Sequence, residues 1–374
     1  MSVRKFAIVL FTVMAVVGTG EAMSWAMFHW YLTDRLAVHW RIDAAADIAV
    51  LDSKQIDRYR TQFFDPVLGW TLKPDTDVFS YAGFDSAGAR RDSLADSVLK
   101  IFAYGDSFTF GEDVANDQTW PHHFGRRMGT RVQNFGVPGY GPDQAVLRFK
   151  RHLEAEQIPD IAVLGVLSEN IARVVNVYRH YYVTTSEHMA FKPVILADGE
   201  WRQTPLQSLT GKPAIIAAAK QAAAYDYWAE FNRSRPQPGF PYLWATFDTM
   251  HYLAFRVVRW SGLWRQGEPV ERLNLVIGEF ISLARKNDVK AVVLFIPMPD
   301  DLRARQGDQP PSYAAYLKRL RSEVVAKDVV IVDPLDAPFD AARFNLRPFQ
   351  GHASDYGNKI LADAVADILH RSDN

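Results

Sequence analysis

Four short stretches of this 374-residue chain hold residue types suited to acyl transfer. The first is Tyr104-Gly105-Asp106-Ser107-Phe108-Thr109-Phe110-Gly111. A serine at a tight strand-to-loop turn can present its hydroxyl above a sheet, and the preceding glycine lets the backbone turn sharply. The second is Asn134-Phe135-Gly136-Val137-Pro138-Gly139-Tyr140-Gly141, where a glycine lets a backbone N–H come close to a ligand. The third, Ser168-Glu169-Asn170, supplies a side-chain amide. The fourth, Gly351-His352-Ala353-Ser354-Asp355-Tyr356-Gly357-Asn358, supplies a histidine just before the final helix. A nucleophile, a base and donors for a developing oxyanion are the parts that acyl transfer needs. Each stretch alone is a weak signal, since Gly-Asp-Ser also suits a turn with a helix N-cap.

Two other motifs are excluded by single residues. Thr109 stands where the last glycine of a Gly-x-Ser-x-Gly elbow belongs. No Gly-Lys-Ser/Thr follows the turn, so it is not a phosphate-binding loop. The pair His122-His123 reads as part of a helix surface rather than a metal site, because adjacent helical residues diverge. The chemistry requires neither a cofactor nor a metal.

These residues need a scaffold that brings distant segments to one edge. From residue 99 apolar runs alternate with amphipathic stretches. Strands are expected over 99–104, 131–137, 161–167, 290–297 and 329–332. Helices are expected over 118–128, 143–157, about 273–284, 313–325 and the C-terminal stretch. Leu273, Val276, Ile277, Phe280, Ile281 and Ala284 follow helical spacing, as do Ile360, Leu361, Ala364, Val365, Ile368 and Leu369. Five strands alternating with helices argue for an α/β domain with a parallel sheet covered on both faces. Ligands bind such sheets at the carboxyl ends of the strands, where the first three stretches fall and over which a histidine before the final helix can reach back.

The order Ser107, Gly136, Asn170, His352 resembles the four marker blocks of the SGNH/GDSL hydrolase superfamily. The match covers about 99–374, with an insertion at about 171–269 after the third strand. The resemblance implies a flavodoxin-like αβα sandwich with a five-stranded sheet. It implies Ser107 as nucleophile and His352 as general base. The Ser107 and Gly136 N–H groups and the Asn170 amide would form the oxyanion hole. An anchor, Leu68-Gly69-Trp70, and Gly139-Tyr140-Gly141-x-x-Gln144 are similar to membrane-anchored bacterial members, some of which acylate exopolysaccharides. One departure stands out. The family aspartate lies three residues before the histidine, and here that position is Phe349. Either His352 works in a dyad, or another acid serves, with Asp333 and Asp355 as candidates.

The N-terminus sets the compartment. Arg4 and Lys5 precede an apolar run, Phe6–Gly18, and a second run ends at Leu32. A helix of that length exceeds a hydrocarbon core of roughly 30 Å. Residues 1–32 therefore read as a transmembrane anchor, with Glu21 near the outer interface and its carboxylate reaching water, and with Trp25, Trp30 and Tyr31 at the boundary. The basic flank places the catalytic part outside an inner membrane, in the periplasm. A cleaved signal ending at Gly20-Glu21-Ala22 is the alternative, and it exports the domain too.

Residues 33–98 read as a connecting segment, helix-like to about Asp57 and then turn-rich, forming a small extended layer on the main domain. The insertion holds Trp201, Trp228, Trp244, Trp260 and Trp264, read as local packing rather than a sugar- or membrane-facing platform, and the turn Arg235-Pro236-Gln237-Pro238-Gly239. There is no internal repeat. The net charge of −1 gives no footprint for nucleic acid. The absence of cysteine excludes a disulfide framework, a thiol nucleophile and a Cys-ligated metal. The expected activity is ester hydrolysis on an acyl ester or exported glycan. O-acyl transfer to an exopolysaccharide, with a membrane partner donating the acyl group, and a catalytically weak assembly module are the alternatives.

Overall fold

The computed structural model describes residues 2–32, 40–77, 81–183, 189–204, 209, 211–237, 239–265, 267–323 and 329–372. Its centre is a five-stranded parallel sheet. The strands are β1 (Ile101–Tyr104), β2 (Val132–Asn134), β3 (Ile161–Leu167), β4 (Lys290–Ile296) and β5 (Val329–Val332). Their order is β2-β1-β3-β4-β5, the doubly wound order of flavodoxin-like folds. The middle strand β3, Ile-Ala-Val-Leu-Gly-Val-Leu, is buried along its whole length, as a strand covered on both faces must be.

Helices cover the sheet in two pairs. The helix α2 (Trp120–Met128) packs on α7 (Asp355–Ser372), and α3 (Pro142–Glu154) packs on α5 (Glu268–Lys286). The crossover from β4 to β5 carries a helix Pro299–Gln306 and then α6 (Ala314–Glu323). The expected stripe on α5 is the buried one: Leu273, Val276, Ile277, Phe280, Ile281 and Ala284 all lie in the core. Strand and helix ends moved by a few residues. The first strand starts two residues later than its apolar run, at Ile101, and the second ends at Asn134, where the chain leaves the sheet to build a loop. The expected end of α6 at Val325 lies outside the described residues, as does Pro238 of the proline-rich turn.

The segment before the sheet is more ordered than a linker. It contains helices Ala44–Ala49 and Ser53–Gln62, so the second helix runs past the expected end at Asp57, sustained by an Asp52/Gln55 capping box. A two-residue strand pair, Phe64–Asp65 with Gly69–Trp70, follows. Arg90 then bridges antiparallel to Asn134, extending the sheet edge beyond β2. The two motifs Leu68-Gly69-Trp70 and Gly139-Tyr140-Gly141 meet directly. The Tyr140 hydroxyl donates to Trp70 O at 2.6 Å, Trp70 Nε1 donates to Pro138 O at 3.1 Å, and Gln144 Nε2 donates to Leu68 O at 2.7 Å.

At the N-terminus, α1 (Val3–Met27) continues through a π-helical turn, Phe28–Leu32. It is long and apolar enough to cross a membrane, and its apolar stretch is not buried by the rest of the chain. In the insertion, Trp228 and Trp264 are buried, Trp201 and Trp260 partly so, and Trp244 is exposed. Local packing thus accounts for four of the five, with Trp264 Nε1 donating to Ser168 O and Trp228 Nε1 to Ala172 O.

Candidate active site

Ser107 begins a single helical turn, Ser107–Phe110, directly after β1. Asp106 caps it: its Oδ1 accepts from Phe108 N at 2.9 Å. Its other oxygen, Oδ2, accepts from Asn170 Nδ2 at 2.9 Å and from Arg173 Nη1 at 3.2 Å. One carboxylate therefore ties the turn after β1 to the turn after β3. Arg173 also pairs with Glu169, so the charge of that buried acid is matched. The Asn170 Oδ1 accepts from Leu167 N at 3.0 Å, which fixes the amide plane. The amide has two N–H groups, and Asp106 takes one of them.

Gly136 sits where its backbone meets the Ser107 turn. A Cβ there would lie 2.2 Å from Phe110 N and 2.7 Å from Thr109 C, so no larger residue fits without moving that turn. Its N–H donates to Asn134 Oδ1 at 3.0 Å. The Asn134 amide in turn donates to Thr109 O and Phe110 O. The second block thus braces the Ser107 turn, and its glycine N–H is engaged within the chain.

His352 lies on a hairpin that the sequence did not suggest, Asn345–Arg347 paired with Gln350–Ala353. Its Nε2 is 3.1 Å from Ser107 Oγ. Its Nδ1 is 2.8 Å from Asp113 Oδ2. A carboxylate accepts, so the Nδ1 proton points at Asp113, and Nε2 is left to accept from the serine hydroxyl. A second acid, Glu112, puts Oε2 3.4 Å from Nε2. Burial pushes the Glu112 carboxyl above its ordinary range, with His352 opposing and Asp113 adding to the shift.

Neither acid named from the sequence is the partner of His352. Asp333 accepts from Tyr313 Oη at 3.1 Å and Leu335 N at 2.9 Å, and burial pushes its carboxyl up to about 6. It is held at the end of β5 as a turn cap. Asp355 faces His123 Nε2 at 2.8 Å, on the first turn of α7. Phe349 is a hairpin turn residue at φ 55°, with the Arg303 guanidinium 5.4 Å from its ring. His122 departs from its expected surface position: it is buried, with Nδ1 3.0 Å from Asp92. The two adjacent histidines do diverge, one to Asp92 and the other to Asp355.

Asp113 was missed because it stands six residues after the serine, on an exposed loop. The loop turns back through Gly111 at φ 82° and Asp113 itself at φ 69°. The signal in the sequence is the acidic pair Glu112-Asp113 right after Gly111, where a chain leaving a helical turn can double back over the same strand edge. Arg90 holds the loop. Its Nη1 donates to Phe110 O at 2.7 Å and Gly111 O at 2.5 Å, its Nη2 to Val114 O at 2.6 Å, and its Nε to Asn116 Oδ1 at 2.8 Å. Burial draws the Arg90 guanidinium down to about 10, so it stays charged at neutral pH.

No family model matches this chain, and no curated protein does. Among solved structures it is similar to a protein described as lipolytic, of the G-D-S-L family, from Desulfitobacterium hafniense DCB-2, at 12% identity over 72% of this chain and 99% of that one, with a TM-score of 0.36. It is similar to Est24, a carbohydrate acetylesterase from Sinorhizobium meliloti, at 12% identity over 73% and 99% of the two chains, TM-score 0.33. A carbohydrate esterase family 2 enzyme with its carbohydrate-binding domain, from Myceliophthora fergusii, is similar at 12% identity over 76% and 69%, TM-score 0.35.

Proposed function

We propose that this chain is a serine-dependent acyl-ester hydrolase working through an acyl-serine. The observation that carries the reading is the relay Ser107 Oγ–His352 Nε2–Nδ1–Asp113, with spacings of 3.1 and 2.8 Å, at the carboxyl edge of a parallel sheet. Ser107 Oγ attacks the ester carbonyl as His352 Nε2 takes its proton. The carbon–oxygen bond to the alcohol then breaks, and Nε2 returns the proton to the departing oxygen. Water repeats the sequence on the acyl-serine and releases the acid. Asp113 keeps the Nδ1 proton in place and stabilises the imidazolium.

The oxyanion would meet the Ser107 backbone N–H and the second N–H of Asn170. Gly136 N–H joins them if a substrate oxygen displaces Asn134 Oδ1. Asp113 beside His352 Nδ1 supports this reading over a catalytically weak assembly module, because it offers a carboxylate although Phe349 stands three residues before the histidine. The substrate class we infer is an ester of an exported glycan. It fits α1 as an uncleaved span with Arg4 and Lys5 inside and the catalytic domain outside.

The test is acetate release from p-nitrophenyl acetate and from acetylated oligosaccharides by the full chain in detergent. Wild type is expected to release acetate and Ser107→Ala to release none above background. Equal release by both would contradict the proposal. Transfer of acetyl to an added sugar, read by product mass, would make the acceptor a hydroxyl in place of water on the same acyl-serine.

A further inference from the structure

A second region of the molecule has no role in the ester chemistry. The helix α4 (Tyr242–His251) runs into a π-helical turn, Tyr252–Arg256, within the insertion. It buries Ala245, Thr249 and Tyr252. Its other side carries large apolar side chains that nothing covers among the described residues. Phe240 is 80% exposed, Trp244 66%, Phe247 62%, Met250 54% and Phe255 79%. Positions 244, 247, 251 and 255 fall on one helical stripe, and Phe240 stands just before the helix begins. Along it the rings touch in series: Trp244 to Phe247 at 5.7 Å, Phe247 to His251 at 6.4 Å, His251 to Phe255 at 5.2 Å. A contiguous exposed apolar patch of this kind marks an interaction surface.

Its position says what covers it. α4 is joined to α1. The Glu21 carboxylate, expected to reach water, instead accepts from Tyr242 N at 2.6 Å and Leu243 N at 3.3 Å. It thereby satisfies two of the orphan N–H groups at the start of α4 and meets the positive end of that helix. Gly20 leaves room for Leu243, whose Cδ1 would lie 3.0 Å from a Cβ there. Phe28 and Leu32 close a small apolar cluster with Ala245. Depth then follows from length. A core of about 30 Å takes about 20 helical residues. Counted from Phe6, it reaches to about residue 25, beyond the level of Gly20 and Glu21 where α4 begins. The first turns of α4 therefore lie at the outer boundary of any bilayer that α1 spans.

We infer that the aromatic face of α4 is seated in the outer leaflet of the membrane, so that the catalytic domain is held to the lipid surface by two elements rather than tethered by one. Phospholipid is the occupant that fits. The exposed face offers the rings of the stripe flanked by Leu243 and Met250, with His251 as the stripe's polar member, whereas a sugar platform pairs its rings with hydrogen-bonding groups. Exposed Trp25, Trp30 and Tyr31 on the neighbouring stretch of α1 and its extension supply further interfacial aromatics. Two elements in the interface limit the tilt of the domain and hold its cleft at a fixed relation to the bilayer. The inference rests on α1 as a membrane span and is independent of the chemistry at Ser107.

The chain has no cysteine, so single cysteines can be introduced without removing any. Full-length Val13→Cys, Phe247→Cys, Phe255→Cys and Val98→Cys would each carry a nitroxide in vesicles of phosphatidylcholine and phosphatidylglycerol. All four positions are exposed on the protein, so labelling leaves the packing intact. Collision with oxygen against collision with a water-soluble nickel chelate reads the surroundings. Positions 247 and 255 are expected at the interfacial level, with nickel accessibility above that at 13 and about fivefold or more below that at 98. Lipid at 13 with water at 247 and 255 would overturn the inference and leave the span. Water at 13 would overturn the span and this inference with it. Spin–spin broadening at 247 between molecules would assign the face to a second copy and overturn it as well.

Discussion

The turn that carries Ser107 and the hairpin that carries His352 meet at one hydrogen bond, yet they are held in opposite ways. Residues 101–111 are buried throughout, and the turn is braced by Asp106, Asn134, Asn170 and the close approach of Gly136. The hairpin is largely exposed from Leu346 to Gly351. Its base is tied by Asn358 Nδ2, which donates to Ala353 O at 3.2 Å, and its exposed part by Asn345 Nδ2 to Gly351 O at 3.0 Å and Arg303 to Phe349 O at 3.0 Å, with the Phe108 ring 5.0 Å from that of His352. The nucleophile is placed by the core. The base is placed by side chains, above all Asp113, and Asp113 in turn depends on a loop gripped by Arg90. Stability and activity should therefore respond differently on the two sides.

On the hairpin side the largest effect on activity is expected from His352→Ala. Ester hydrolysis should fall about 10³-fold or more, since members of a relay act as a unit. The melting temperature should stay near that of wild type, because the hairpin contributes little to the core. Asp113→Asn comes next, with a fall of about 10²-fold or more in kcat from loss of the imidazole orientation. Asp333→Asn and Asp355→Asn should stay within about twofold of wild type, because neither touches His352. If Glu112→Gln, not Asp113→Asn, produced the large loss, the second acid would be the partner.

Arg90→Met tests the indirect half of the comparison. It leaves three buried carbonyl oxygens without their charged donor, which should cost about 3 kcal/mol or more in urea unfolding. Hydrolysis by the folded fraction should fall about tenfold as the Asp113 loop loosens. Leu346→Ala gives the smallest effect. On the exposed hairpin strand it should change stability by less than about 0.5 kcal/mol and leave hydrolysis unaltered. A large loss of stability there would mean that the hairpin is as firmly built as the serine turn.

Much of the buried side was legible in the sequence, because burial leaves a pattern. The strand at 161–167 is a continuous apolar run, and the stripe from Leu273 to Ala284 has the period of a helix packed on one face. The serine, glycine and asparagine stretches were found because they follow strands whose positions were clear, and the histidine because it precedes the clear final helix. The exposed side left weaker traces. Asp113 is one of many surface aspartates in composition, and only the backbone reversal at Gly111 brings it back to the strand edge. Asp333 attracted attention by following a strand, yet its carboxylate is spent on capping the next turn. The aromatic stripe on α4 has helical spacing in the sequence, but spacing says only that the rings share a face. Whether that face turns inward depended on Glu21 and Ala245, which fix the other side of the helix to α1.

The relay itself is tested most directly by covalent capture. The full chain would be incubated with a fluorophosphonate and the adduct located by peptide mass. The account predicts a single adduct on Ser107, formed much more slowly in His352→Ala and in Asp113→Asn than in wild type, and at the wild-type rate in Asp333→Asn. Folded protein that takes no label, or label that forms equally fast without His352, would contradict it.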